Sequence, residues 1–549
     1  MADIKQKTIE LIDSLKATCG AFGLGNDGNE YKIITEIFLY KFLNDKFAYE
    51  VKSNPAYGDR FTNAERWDAE YDNFTNDEVE DLWSYMNHNT PKLKPEHTLG
   101  HLYNSAQKAE FADILDGTLL DIANTNADIF SMASVGETKI TIFERVTTLI
   151  QEVEQRSKFA RALVSKIAEF NFEEIYSEKY DFFSDIFEYL IKDYNTAGGG
   201  KYAEYFTPKA IATIIARLLV DDDAQLKSKT CYDPSAGSGT LIMALAHQIG
   251  TDRCTIFSQD ISQKSSQMLR LNLILNDLVD SIQNIVKGNT LTDPAHKNHD
   301  GTLRKFDFVV SNPPFKLDFS DYREALATKT SRFWAGVPTI PAKKKESMAI
   351  YTCFIQHVIN SIAPKGKGAI VIPTGFITAK SGIENKILKK IVDDHIVYGV
   401  VSMPSNVFAN TGTNVSVLFF DKSEDKADDS TAILIDASKL GEEYKDANGL
   451  KKVRLTSEEI DKIVNTFRNK EAIDDFSVCV SYKQIKDKGY SLSAGQYFDI
   501  KIEYVDITED EFNAQMAQDQ AELQKMFAES HKLEDEIIAQ LKLLKIEDK

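Results

Sequence analysis

Thr230-Cys231-Tyr232-Asp233-Pro234-Ser235-Ala236-Gly237-Ser238-Gly239-Thr240 runs from an apolar segment through a glycine-rich turn into a predicted helix, residues 240–247. This is the spacing of a strand, a tight turn and a helix. The glycines let the backbone approach a ligand closely and start the helix. The turn lacks the third glycine of a dinucleotide fingerprint and the Gly-Lys-Ser/Thr of a phosphate loop, so pyrophosphate is not the favoured ligand. A carboxylate beside such a turn suits a ligand with a cationic amine. Asp233, Ser235, Gly237, Ser238, Gly239 and Thr240 are therefore candidate binding residues.

The same alternation continues outward. Strands are expected at 254–258, 284–287, 306–311, 369–372, 397–401 and 415–420, with helices at 262–276 and 350–362. Strands alternating with helices of this length predict an α/β chain with a parallel, doubly wound sheet. Ligands on such sheets sit at the carboxyl ends of the strands, where Asp233, Asp260 and Asn312 fall. Asp260 is placed to accept hydrogen bonds from ribose hydroxyls, or equally to cap the following helix. Upstream, Glu204-Tyr205-Phe206-Thr207-Pro208 precedes an apolar helix. Thr207 and Pro208 read as its cap and first residue, and the two aromatics suit a pocket wall.

The run Asp307-Phe308-Val309-Val310-Ser311 ends in Asn312-Pro313-Pro314-Phe315. Asn312 offers a side-chain carbonyl, and Pro313, without an N–H, still offers its backbone carbonyl. Two prolines stiffen the loop, so both acceptors can be aimed at one exocyclic NH2 group. The Phe315 ring offers a face for a planar base.

Residues 1–170 read as helical, with apolar spacing of three and four at Ile33, Ile37, Phe38, Tyr40 and Phe42 and again at Ile140, Ile142, Val146, Leu149 and Ile150. Another helix is expected at 182–194, before the triple glycine at 198–200. At the other end, Thr508-Glu509-Asp510-Glu511 fits a capping box ahead of an amphipathic helix. Residues 505–549 hold five basic and twelve acidic residues, 5 − 12 = −7, and their apolar stripe suits a partner helix slightly better than self-packing.

The net charge of −20 counts against nucleic acid as a partner unless positive charge is local or another chain supplies it. One local exception is residues 316–348, with seven basic and four acidic residues, 7 − 4 = +3. There Phe333-Trp334 and the cations suit either a strand-receiving loop or an ordinary insertion. The five dispersed cysteines fit a reducing cytoplasm and free thiols. No apolar run approaches the ~20 residues of a membrane span, and the start lacks the apolar core of a signal peptide. No metal site is expected: His296 and His299 have no third ligand in view, and His357 reads as a core residue. Without a Pro-Cys pair, carbon-5 methylation of cytosine through a thiolate is disfavoured.

In their order, aromatic-Thr-Pro, then Asp-Pro-x-x-Gly-x-Gly, then Asn-Pro-Pro-Phe, these motifs resemble the class I S-adenosylmethionine-dependent methyltransferases of the amino-methylating DNA branch. The chain is most similar to the modification (methylase) subunit of type I restriction–modification systems. The likeness extends to Phe187-Glu188-Tyr189-Leu190-Ile191, Phe354-Ile355-Gln356-His357 and Val407-Phe408-Ala409-Asn410-Thr411-Gly412-Thr413. It implies a Rossmann-like seven-stranded methyltransferase sheet with its last strand antiparallel, an N-terminal helical domain and a C-terminal helical extension. The expected divisions are 1–170, 171–480 and 481–549. It implies S-adenosylmethionine held by Glu204, Tyr205, Phe206, Thr207, Pro208, Lys209, Ser235 to Thr240 and Asp260, with adenine N6 of double-stranded DNA as methyl acceptor. It also implies two copies of this subunit with one specificity subunit, joined by a motor-nuclease subunit for cleavage. Asn289 stands where many relatives carry Asp, which weakens an expected contact to the cofactor's adenine. The rival expectations are amino-group methylation of RNA or of a protein glutamine, and a non-catalytic assembly subunit that keeps the fold.

Overall fold

The structure is a computed structural model. It describes residues 2–25, 28–87, 90–127, 133–134, 142–172, 207–222, 226–408, 414–423, 426–445, 451–498 and 507–543. Glu204, Tyr205, Phe206, the helix expected at 182–194, the motif at 187–191, the glycines at 198–200 and residues 409–413 lie outside them. The chain divides into two compact units, Met1–Tyr497 and Phe498–Lys549.

Ten strands make the sheet of the first unit. In chain order they are β1 (Ala133–Ser134), β2 (Lys229–Asp233), β3 (Cys254–Asp260), β4 (Ile285–Lys287), β5 (Phe306–Ser311), β6 (Ile362–Pro373), β7 (Val397–Ser402), β8 (Val415–Asp421), β9 (Thr431–Asp436) and, after a separate hairpin of β10 (Glu442–Lys445) and β11 (Lys451–Arg454), β12 (Ser477–Ser481). Their spatial order is β1-β4-β3-β2-β5-β6-β8-β7-β9-β12. The seven from β2 to β8 are the expected sheet, and β8 runs antiparallel to both of its neighbours. Every residue of β8 is buried, as expected for a strand covered on both faces.

Three strands extend that sheet beyond seven. β9 pairs in parallel with β7, and β12 closes that edge antiparallel to β9. At the other edge β1, inside the region read as wholly helical, pairs in parallel with β4. The parallel strands β2, β3, β5 and β6 end together, which gathers the loops after Asp233, Asp260, Ser311 and Pro373 at one edge.

The N-terminal region is mostly helical, with Gly28–Lys52 at its centre. Phe38, Phe42, Phe159 and Phe172 are buried together there. The stretch 142–150 departs from expectation: it holds only a short 3-10 turn, Thr147–Leu149, although Ile142, Val146 and Ile150 are buried. Side chains capture the amides that a helix would have used. The Asp116 carboxylate accepts from Thr147 N at 3.0 Å and from Thr147 Oγ1 at 2.7 Å, and Glu36 accepts from Glu144 N at 2.9 Å. Spacing of three and four reported burial here, not helix.

In the second unit the capping box forms as read. Thr508 Oγ1 accepts from Glu511 N, and Glu511 accepts from Thr508 N at 2.9 Å, opening the helix Glu509–Leu543.

Candidate active site

Both candidate carboxylates end neighbouring strands. Asp233, the last residue of β2, is buried, and its Oδ1 accepts from Ser235 N at 2.9 Å. Asp260, the last residue of β3, accepts from Gly237 N at 3.0 Å and from Ser262 N at 2.8 Å. The helix Gln263–Leu275 is capped by Ser262, whose side chain accepts from Ser265 N, so the cap reading of Asp260 is not realised. Asp260 instead ties the glycine turn to the next strand.

The turn needs its glycines. Gly237 has φ +54° and Gly239 φ +90°, left-handed values that other residues rarely adopt. Gly239 is also the cap position of the helix Thr240–Ile249, and a side chain there would meet Leu269.

Burial pushes the Asp233 carboxyl up to about 8, helped by the negative Asp260. Asp260 is also raised, again chiefly by burial. Among the described residues no lysine or arginine offsets either one. A buried and a half-buried carboxylate without a counter-cation among the described residues, set beside a glycine turn, fit a ligand that brings its own positive charge. S-adenosylmethionine, with a sulfonium and an ammonium, meets that requirement.

Asn312 follows β5 directly and is half-buried. Its Nδ2 donates to Thr207 Oγ1 at 2.9 Å. The Oδ1 of the same amide has no hydrogen bond among the described residues. Thr207 therefore does not cap the helix Lys209–Leu219: Pro208 holds the cap position, and the Thr207 hydroxyl is used on the amide. Lys209 is exposed at the start of that helix. One residue before the amide, the Ser311 and Ser235 hydroxyls lie 2.7 Å apart and join the two motif loops. Pro313 is buried and Pro314 half-buried. The half-buried Phe315 ring meets Tyr351 edge-on at 6.4 Å, and Tyr351 meets Phe376 at 6.2 Å.

Asn289 is occupied locally. Its Oδ1 accepts from Leu291 N at 3.0 Å, and its side chain is hydrogen-bonded to Tyr322. Thr290, buried beside it, donates to the Pro234 carbonyl at 2.8 Å and so holds this loop against the glycine turn.

The segment 316–348 uses much of its positive charge internally. Arg332 donates to the Thr290 and Leu291 carbonyls, Lys329 to the Thr292 carbonyl, and Arg323 to the Val337 and Pro338 carbonyls. Phe333 is buried under Arg332, so it presents no ring to a strand. Lys316, Lys343, Lys344 and Lys345 remain exposed. Tyr351 was not singled out from sequence, and neither were the bridging roles of the Ser311 and Thr290 hydroxyls, although Asn289-Thr290 was read as able to approach the cofactor's adenine. Ser311 stood in the quoted run, but nothing in one chain marks which serine will find a partner 76 positions away.

A family model described as N-6 DNA methylase matches residues 178–504, more than half of the 549 residues. The chain belongs to this family. Among its relatives is the type I restriction enzyme MpnII methylase subunit of Mycoplasma pneumoniae, 26% identical over 524 residues that cover 91% of this chain and 90% of that one. The MjaIX methylase subunit of Methanocaldococcus jannaschii is 27% identical over 388 residues, 68% of this chain and 65% of its own. In fold, this N-6 DNA methylase is similar to a type I restriction-modification system methyltransferase subunit from Streptococcus thermophilus. That match has a TM-score of 0.70 at 21% identity and covers 89% of this chain and 99% of the other.

Proposed function

We propose that this N-6 DNA methylase is the modification subunit of a type I restriction–modification complex and methylates adenine N6 in double-stranded DNA. The observation that carries the reading is the Asn312 amide, tied by its nitrogen to Thr207 with its oxygen left as an acceptor. When bound, S-adenosylmethionine supplies an electrophilic methyl group on a sulfonium. Asp233, Asp260 and the turn from Ser235 to Thr240 hold it, with Thr207, Pro208 and Lys209 behind.

The adenine amino nitrogen is a poor nucleophile because its lone pair is delocalised into the ring. Asn312 Oδ1 and the Pro313 carbonyl accept its two hydrogens and localise that lone pair. Phe315, backed by Tyr351, stacks the base. Catalysis of this kind is positioning and electrostatics. The target atom lies inside a duplex, so the base must be flipped out.

The division 1–170, 171–480 and 481–549 gives a helical, a catalytic and an assembly region. Sequence reading belongs to a separate specificity subunit, with a second copy of this chain beside it and a motor-nuclease subunit joining for cleavage. The exposed apolar side chains of the helix Glu509–Leu543 support a role in assembly. The reading places the protein in the cytoplasm; no helix among the described residues is long and apolar enough to cross a membrane.

Asn312→Ala tests the clamp. In the assembled complex, N6-methyladenine formation on duplex DNA should fall at least about 10²–10³-fold. Cofactor binding, measured by calorimetry, should persist. Retained methyl transfer would sink the clamp.

A further inference from the structure

β5 and β6 lie side by side in parallel, with Ser311 opposite Ile370, so β6 ends beside the Asn312 loop. The chain then makes the 3-10 segment Thr374–Thr378 and the helix Gly382–Asp393. Tyr351 joins this region to the base site: its ring touches Phe315 on one side and Phe376 on the other, and its hydroxyl is hydrogen-bonded to Glu384.

Beyond that aromatic row lies a groove of about 440 Å³. Its wall carries Lys380, Lys389 and Lys488, together with the polar side chains of Thr378, Asn385 and Gln496. No acidic residue lines it, in a chain whose net charge is −20. All three lysines are exposed, and none pairs with a carboxylate among the described residues. Lys389 sits over the Tyr490 ring at 5.5 Å, and Lys488 over the Tyr497 ring at 5.9 Å. The nearby carboxylates are engaged elsewhere: Glu384 with Tyr351, and Asp393 with the Tyr490 hydroxyl and Lys486. Lys380, Lys389 and Lys488, the last of which also donates to the Gln496 carbonyl at 3.3 Å, put three cations on one polar wall, which matches a row of phosphodiesters. In the segment 316–348, Arg323, Lys329 and Arg332 are all held on backbone carbonyls, whereas in the groove Lys488 alone of the three lysines is so held among the described residues.

We propose that this groove binds the sugar–phosphate backbone of the DNA strand next to the displaced adenine. The proposal rests on the DNA-methylating reading and adds where the strand is gripped. It requires no base contacts, so its contribution is independent of sequence and sensitive to salt. Each phosphate neutralised contributes about 0.9 to the slope of log affinity against log salt.

The test uses the full chain in its assembled complex and a duplex of arbitrary sequence, with binding followed by fluorescence anisotropy across a potassium chloride series. The triple variant K380Q/K389Q/K488Q should bind at least about tenfold more weakly at low salt, with a slope shallower by about 2 to 3. The triple Lys→Arg variant should keep the wild-type slope. K365Q, which removes a charge at the opposite end of β6, should do the same. An unchanged slope in the glutamine triple, or an equal loss in the arginine triple, overturns the groove. Failure of the DNA reading looks different: the wild-type complex itself would neither bind duplex nor form N6-methyladenine.

Discussion

An amide has two ends that differ in which one donates, and at Asn312 the donating end is the one held by a neighbouring hydroxyl. With Nδ2 on Thr207 Oγ1 at 2.9 Å, the acceptor end is the one left for a substrate amine. Flipping the amide would present NH2 to NH2. Thr207 is therefore a positioning residue in the proposed chemistry, besides any contact it makes to the cofactor. A net hydrogen bond is worth about 0.5–1.5 kcal/mol, so Thr207→Val should lower kcat by up to about tenfold. The fall in kcat should exceed any rise in the cofactor KM, and Thr207→Ser should restore kcat. A rise in cofactor KM with kcat intact would mean that Thr207 serves the cofactor alone. The chemistry proposed for Asn-Pro-Pro-Phe could be read from sequence because it lies within four consecutive residues. The threonine that orients it was not, since it sits 105 positions earlier and its local context already explained it as a helix cap.

Two adjacent parallel strands, β2 and β3, finish in a buried and a half-buried carboxylate, and this pairing has a consequence for pH. The Asp233 carboxyl is pushed up to about 8, so at neutral pH it holds a proton in the ligand-free protein. A cationic ligand favours its ionised form, so binding expels that proton. Cofactor affinity should then strengthen as pH rises, by up to about tenfold per unit for one proton, and level off above about pH 8. Calorimetry between pH 6 and 9 checks this, and Asp233→Asn should flatten the profile. A wild-type affinity that does not change over that range would remove the carboxylate from cofactor binding. The strands that form this site were readable to within a few residues, because short apolar runs end there in Asp, Gly or Asn. β9 and β12 were not: one follows the acidic Asp428-Asp429 and the other Asp474-Asp475, in stretches that resemble surface loop until their pairing is known. The two residues of β1 are too few to show any period. Residues 142–150 misled in the opposite direction, since their apolar spacing was genuine but Asp116 and Glu36 held the amides that a helix needs.

Over the whole molecule, a charge of −20 and a DNA substrate are compatible only if positive charge is concentrated and other chains share the grip. The lysine groove meets the first condition, and the second unit bears on the second. Its helix Glu509–Leu543 has 35 residues, about 52 Å at 1.5 Å per residue. Phe512, Leu523, Phe527 and Leu541 are each more than half exposed on it. A helix gains most of its stability from packing an apolar face, and among the described residues of its unit nothing covers this face. In the proposed complex, a helical segment of the specificity subunit would provide that cover. Leu523→Glu combined with Phe527→Glu in the full chain should therefore abolish co-elution with the specificity subunit on size exclusion, and with it DNA methylation. Cofactor affinity of the isolated chain should remain at the wild-type value, because the carboxylates and the glycine turn belong to the other unit. Intact assembly would remove the helix from the subunit interface. Lost cofactor binding would instead mean that its apolar face supports the catalytic unit of the same chain.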